Sequence, residues 1–87
     1  MCEINDSGGG KHASAFRRAA ERFCEQHPGE RFIISCGGVG QEGLQITIQR
    51  KGDRYALRPR SVPIAPDMEM EDHILVNLED WWSSQSA

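Results

Sequence analysis

The segment 13–27 carries apolar side chains at helical spacing. Phe16, Ala19 and Phe23 lie at positions i, i+3 and i+7 of one stripe, and charged residues with a basic excess fill the opposite side. This period is typical of an amphipathic helix that buries one face. The dipeptide Pro-Gly follows directly and is a strong helix stop. The pattern therefore predicts a first helix over 13–27.

The middle of the chain has the two-residue period of β-strands. Residues 44–50 alternate strictly between apolar and polar side chains, and a β-branched and aromatic run marks 31–36 as an earlier strand. Beyond the tight-turn signal at 51–53, residues 54–58 alternate again. Two successive hairpins predict a three-stranded antiparallel sheet. Three prolines then predict an extended connection over 59–67.

The last part of the chain allows two interpretations. Residues 68–84 contain neither Gly nor Pro, and Ile74, Leu78 and Trp81 fall on one helical face, which favours a second helix. The alternative assigns 73–76 to a fourth short strand, followed by a short helix. Short apolar runs fit either structure, so the pattern leaves both open.

These elements predict a small α+β fold in the order α-β-β-β-α, with the first helix packed on the sheet and the second helix beside it. A length of 87 residues permits one domain, which we assign to 13–84. Residues 1–12 are polar and glycine-rich and are predicted to be a flexible N-terminus, and 85–87 form a tail.

A glycine-rich stretch, 38–43, matches the pattern G-x-G-x-x-G. In a dinucleotide fingerprint this pattern leads into a helix, but here an alternating strand follows it. The glycine loop of protein kinases does join two strands, yet a kinase needs catalytic segments for which this chain has no room. The sequence therefore predicts a flexible hairpin loop that can touch a partner. The predicted loop contacts are Gly38, Val39, Gly40, Gln41 and Glu42.

The cysteines and histidines give no sign of metal or catalytic chemistry. Cys2, Cys24 and Cys36 are odd in number and irregularly spaced, which predicts reduced thiols rather than a disulfide framework. Cys24 and His27 lie three residues apart on the predicted helix, but no second ligand pair completes a metal site. No nucleophile motif is present either, so no metal, cofactor or catalytic residue is predicted. With no secretory signal and no long apolar run, we expect a non-enzymatic cytoplasmic protein that contacts no membrane.

Charge is segregated along the chain. All ten Lys and Arg residues precede position 61, whereas acids alone carry charge in 61–87, and the net charge is −3. Acids around two adjacent tryptophans, whose side chains point about 100° apart on a helix, predict a face that binds a protein with a basic surface. The predicted contacts are Glu71, Asp72, Glu79, Asp80, Trp81 and Trp82.

Such a protein-binding module would act as an inhibitor or adaptor. By class analogy only, phage-encoded inhibitors of bacterial defence complexes, anti-CRISPR proteins among them, use compact acidic surfaces in this way. A homo-oligomer is also possible, because the edge of a small sheet tends to be paired or covered.

The alternative function is RNA or DNA binding by a basic face on the first helix and the hairpin. The α-β-β-β-α order resembles that of double-stranded-RNA-binding domains, which grip phosphates with a basic second-helix N-terminus. Here that segment is acidic and would repel phosphate. The residues predicted for this alternative are Arg17, Arg18, Arg22, Arg50, Lys51 and Arg54.

Overall fold

The structure is a computed structural model that describes residues 2–40, 43–50, 60–63 and 70–86. Within these ranges, two helices pack on one face of a four-stranded mixed sheet with strand order β1-β2-β3-β4. The elements in chain order are β1 (Glu3–Asn5), a 3-10 turn (Gly10–His12), α1 (Ala13–Glu25), β2 (Phe32–Gly40), β3 (Gly43–Arg50), β4 (Arg60–Val62) and α2 (Met70–Ser86).

The central hairpin confirms the strand pattern read from the sequence. β2 and β3 pair antiparallel, with Ile34 opposite Ile48 and Cys36 opposite Ile46. Alternate side chains on both strands are buried in one core against the helices, because successive residues of a strand point to opposite faces. A register shift between Cys36 and Gly38 marks a bulge just before the glycine-rich stretch.

The sheet itself differs from the three-stranded antiparallel prediction. β1 lies in the segment predicted to be flexible and pairs parallel to β2, with Ile4 opposite Ile34, so the sheet is mixed. A strand of three residues is too short to show the alternation of apolar and polar side chains. Its partner strand, β2, is separated from it in the sequence by the whole of α1. Only the folded crossover brings them together.

The fourth strand lies where the sequence predicted an extended connection. β4 pairs antiparallel with β3 and covers Arg60–Val62, within the predicted extended connection. The predicted strand at 54–58 lies outside the described residues. Prolines at positions 59 and 63 bracket β4 in the sequence, as suits a short edge strand that can spare backbone donors.

Helix α2 is continuous, so the alternative strand at 73–76 is wrong. Ile74, Leu78 and Trp81 are buried together in the core, as their helical spacing predicts. Asn77, a possible N-cap in the strand alternative, instead donates its side-chain N–H to the carbonyl of His73 within the helix. Burial of the apolar face outweighs the weak local preference of Asn for a cap.

The prediction of three reduced thiols is also corrected. Cys2 and Cys24 form a disulfide, with their Cα atoms 6.5 Å apart, and Cys36 is free and buried. The two bonded cysteines are 22 residues apart and follow no spacing motif. They meet because β1 runs beside β2 under the end of α1, which local pattern does not show.

Candidate functional site

The acids at the start of α2 contact the arginines of α1. Glu71 accepts hydrogen bonds from Arg18 Nε at 2.5 Å and from Arg22 Nη1 at 2.9 Å, through its two carboxylate oxygens. Arg22 Nη1 also lies 2.7 Å from Asp72 Oδ1. The structure therefore joins residues from the two predicted binding faces, acidic and basic, in one ion-paired interface between the helices.

These contacts shift the ionisation of both partners. Hydrogen bonds from Arg18 and then Arg22 hold the pKa of Glu71 below its ordinary value, because they stabilise the charged carboxylate. Hydrogen bonds to Asp72 and Glu71 likewise raise the pKa of Arg22. Each arginine of the group therefore lies against a carboxylate of α2.

The other two predicted acids on α2 also have partners. Glu79 lies 3.1 Å from the Nε2 atom of His27 at the end of α1. Asp80 accepts a hydrogen bond from Arg60 Nη2 at 3.0 Å, which links α2 to β4. All four acids predicted to bind a partner are thus engaged within the domain.

The two tryptophans have different environments. Trp81 is 5% exposed and belongs to the core. Trp82 is partly buried; its ring meets that of Phe32 edge-on at 5.0 Å between centroids, and the Arg50 guanidinium lies 5.0 Å over it. Arg50 also pairs with Glu30 at 3.1 Å. Both tryptophan side chains therefore pack against the domain, and neither is the fully exposed contact residue that the binding face would need.

The remaining described arginine of the predicted basic face is also ion-paired. Arg17 Nε donates to Asp6 Oδ2 at 2.8 Å, and its Nη2 donates to the backbone carbonyl of Ile4. Arg17 therefore fastens the N-terminal segment to α1. The last two residues predicted for nucleic acid, Lys51 and Arg54, lie outside the described residues.

The glycine-rich stretch includes the last residues of β2, 38–40, and the first residue of β3, so Gly38, Val39 and Gly40, predicted in a loop, lie in a strand. Gly38 and Gly43 have φ values of +134° and +125°, a region that favours glycine, and Gly40 pairs with Gly43. Val39 belongs to β2, and Gln41 and Glu42 lie outside the described residues. The glycines at 38 and 43 therefore meet a backbone requirement of the hairpin.

An exposed line on α2 is the feature that the sequence prediction missed. Val76 is 60% exposed and is the exposed large hydrophobic residue among the described side chains. Asp72 and Asp80 lie one turn before and after it, and their side chains keep 51% and 67% of their surface open. We call Asp72, Val76 and Asp80 the α2 ridge. The signal in the sequence was a valine outside the apolar stripe of its helix.

The described part of the chain contains no candidate metal site and no candidate membrane-spanning helix. There, no group of three or more His, Cys, Asp or Glu side chains is placed to hold a metal ion. Neither helix that the structure describes has the length and apolar content needed to cross a membrane. Comparison with profiles of known protein families, with curated proteins and with solved structures found no match to the chain.

Proposed function

We propose that this chain is a non-enzymatic module that binds another protein through the α2 ridge. The observation that carries the proposal is the exposed valine between two half-exposed carboxylates on α2. Exposure of a large apolar side chain to water is unfavourable, so burying one against a partner contributes about 1.5–3 kcal/mol.

The charges of the ridge favour a partner with a basic surface. Among the described residues, Asp72 pairs with Arg22 and Asp80 with Arg60, and both acids still expose half or more of their side chains. A carboxylate can accept further hydrogen bonds on its open side, so cationic groups of a partner add to the pairs already present. Such charges raise association rates and make them sensitive to salt.

The mode of action that fits a small binding module is occupation of a partner's surface. The chain would act as an inhibitor or adaptor by covering that surface, and phage-encoded inhibitors of bacterial defence complexes offer a class analogy. The nucleic-acid alternative has less support, because each of its four described arginines already holds a carboxylate. These arginines are Arg17, Arg18, Arg22 and Arg50.

The test places a photo-crosslinking amino acid at position 76 and, as a control, at the exposed position of Ser14 on α1. Both variants are irradiated in nuclease-treated lysate of the cells in which the protein acts. We expect one discrete crosslinked protein from position 76 and none from position 14. Asp72→Asn with Asp80→Asn should weaken this crosslink, and added salt should weaken it further.

Several results would contradict the proposal. Equal crosslinking yields from positions 76 and 14 would show that the α2 ridge contacts no protein in preference to the rest of the surface. Crosslinks only to a second copy of the chain would make the ridge a homo-oligomer contact. Recovery of crosslinks only without nuclease would move the function to nucleic acid.

A further inference from the structure

The Cys2–Cys24 disulfide lies at the margin of the domain. Both of its cysteines are half-buried and pack against the outside of the hydrophobic core. The third cysteine, Cys36, is free and buried. Disulfides near the surface are the ones that a reductant in solution attacks first, whereas a buried thiol exchanges slowly. The position of the bond therefore suits a disulfide that opens and closes while the protein stays folded.

The strand next to this disulfide, β1, has modest noncovalent support. It is the outermost strand of the sheet and pairs with β2 through the three residues Glu3–Asn5. The ion pair between Arg17 and Asp6, which follows β1, leaves 46% and 32% of the two side chains exposed. A three-residue pairing and an exposed ion pair each contribute little to stability. The covalent bond at Cys2 is therefore a major part of what holds β1 in place.

The rest of the core is built without β1. Among the residues that the structure describes, the fully buried core side chains come from α1, β2, β3, β4 and α2, and none comes from β1. A run of three glycines, 8–10, joins β1 to the turn before α1, and Gly10 has a φ of +56°. Because glycine adopts many backbone conformations, this joint lets β1 move while α1 stays wound.

We infer that β1 is a redox-controlled cover of the sheet edge. With Cys2 and Cys24 joined, β1 stays paired and covers the backbone of β2 at 33–35. After reduction, residues 2–6 leave the edge, and the backbone groups of β2 that faced them become open. Unpaired edges are where a sheet takes up another strand, so the oxidation state decides whether this edge is available. β1 and the disulfide share no residue with the α2 ridge.

The chemical step is thiol–disulfide exchange with a dithiol reductant. One thiolate of the reductant attacks a sulfur of the disulfide, the bond between Cys2 and Cys24 breaks, and the released cysteine takes up a proton. The second thiol of the reductant then displaces the other cysteine from the mixed disulfide. Two electrons and two protons pass to the cysteines, and the reductant is left as its own disulfide.

The experiment compares NMR spectra of the oxidised ¹⁵N-labelled protein before and after addition of dithiothreitol. We expect the amide shifts of 2–6 to move to random-coil values, and the amides of 33–35 that point towards β1 to lose slow hydrogen exchange. The cross-peaks of 44–50 and 70–86 should keep their folded positions. Glutathione disulfide, added after removal of dithiothreitol, should restore the first spectrum.

Alkylation of the folded protein checks that the bond itself was opened. Iodoacetamide added after dithiothreitol should label two cysteines, because Cys36 is protected by burial. Absence of label would show that the folded protein keeps the disulfide closed to the reductant, and the inference would fail.

Two variants separate the disulfide from the free thiol. Cys2→Ser should give the spectrum of released β1 without any reductant, whereas Cys36→Ala keeps the disulfide and should respond to dithiothreitol as wild type does. Random-coil shifts throughout the reduced wild-type protein would make the bond a support of the whole fold and overturn the inference. Folded shifts at 2–6 in the reduced protein would also overturn it, since noncovalent contacts alone would then hold β1.

Discussion

At the scale of single residues, Glu71 joins the two helices by hydrogen bonds to two arginines. Its two oxygens contact different arginines of α1, and the side chain is mostly covered by the interface. Isolated surface ion pairs contribute little to stability, but a carboxylate shared between two guanidinium groups forms a small network with better-defined geometry. Glu71 therefore ties the start of α2 to the side of α1.

This role predicts a pH dependence. Because the pKa of folded Glu71 lies below its ordinary value of 4.5, the unfolded chain takes up the proton first as the pH falls. The stabilisation is fully present above about pH 4.5 and is lost as the pH falls through the folded-state pKa. Glu71→Gln should lower the urea midpoint at pH 7, and its difference from wild type should shrink towards pH 3.

The control for this prediction is Glu25→Gln, at an exposed position of α1. Glu25→Gln should change the urea midpoint little at pH 7. Its difference from wild type should also stay nearly constant as the pH falls to 3. If the Glu71→Gln difference stayed constant from pH 7 to pH 3, the carboxylate would not be the source of the stabilisation.

Gly43 is a residue whose lack of a side chain is required. Its φ is +125°, and a Cβ atom there would run into the carbonyl oxygen of Val62 on β4. Gly43→Ala should therefore lower the free energy of unfolding by at least about 2 kcal/mol. Gly29→Ala is the matched control, since a Cβ there meets nothing within 4 Å, and it should stay within about 1 kcal/mol of wild type. Equal urea midpoints for the two variants would contradict the close approach of β3 and β4.

At the scale of elements, β1 is the part most dependent on distant contacts. It is a three-residue strand at the edge of the sheet, too short to be stable alone. The Cys2–Cys24 disulfide fastens the residue before it to α1, and the Arg17–Asp6 pair fastens the residue after it. The position of β1 therefore depends on α1 as much as on β2.

The disulfide predicts a measurable loss of stability when it is removed. Closing a loop of this length stabilises a folded chain by about 3 kcal/mol in the chain-entropy account. Cys2→Ser should lower the free energy of unfolding of the oxidised protein by about that amount. Under reducing conditions the variant and wild type should unfold at nearly the same urea concentration, which is the internal control.

Counting the reactive thiols is an independent test of the Cys2–Cys24 disulfide. The oxidised wild-type protein should expose no reactive thiol while folded and one when unfolded, since Cys36 is buried. Burial raises the pKa of the Cys36 thiol and slows its reaction further. Three reactive thiols after unfolding without reductant would contradict the disulfide.

The elements that local pattern defines were predictable, and those that distant contacts define were not. α1 and the β2–β3 hairpin follow from side-chain periods within each segment. β1 and the disulfide depend on a parallel crossover, which no short window of sequence contains. The glycines at 38 and 43 were predictable as hairpin glycines because the next segment alternates as a strand.

At the scale of the whole molecule, segregation of charge along the sequence becomes pairing of charge in space. The basic residues of α1 and the acidic residues of α2 were each identifiable, but their relation depends on how the helices pack. Once they face each other, both predicted binding faces lose much of their free charge. On the described part of α2, the ridge keeps an exposed apolar residue between two half-exposed carboxylates.

The most direct test of this account is a double-mutant cycle on the helix–helix ion pairs. The urea midpoints of Arg22→Gln, Glu71→Gln and the double variant are compared with wild type at low and high salt. The account predicts that the double variant loses less than the two single losses added together, and that this coupling shrinks at high salt. Strictly additive losses at low salt would contradict it.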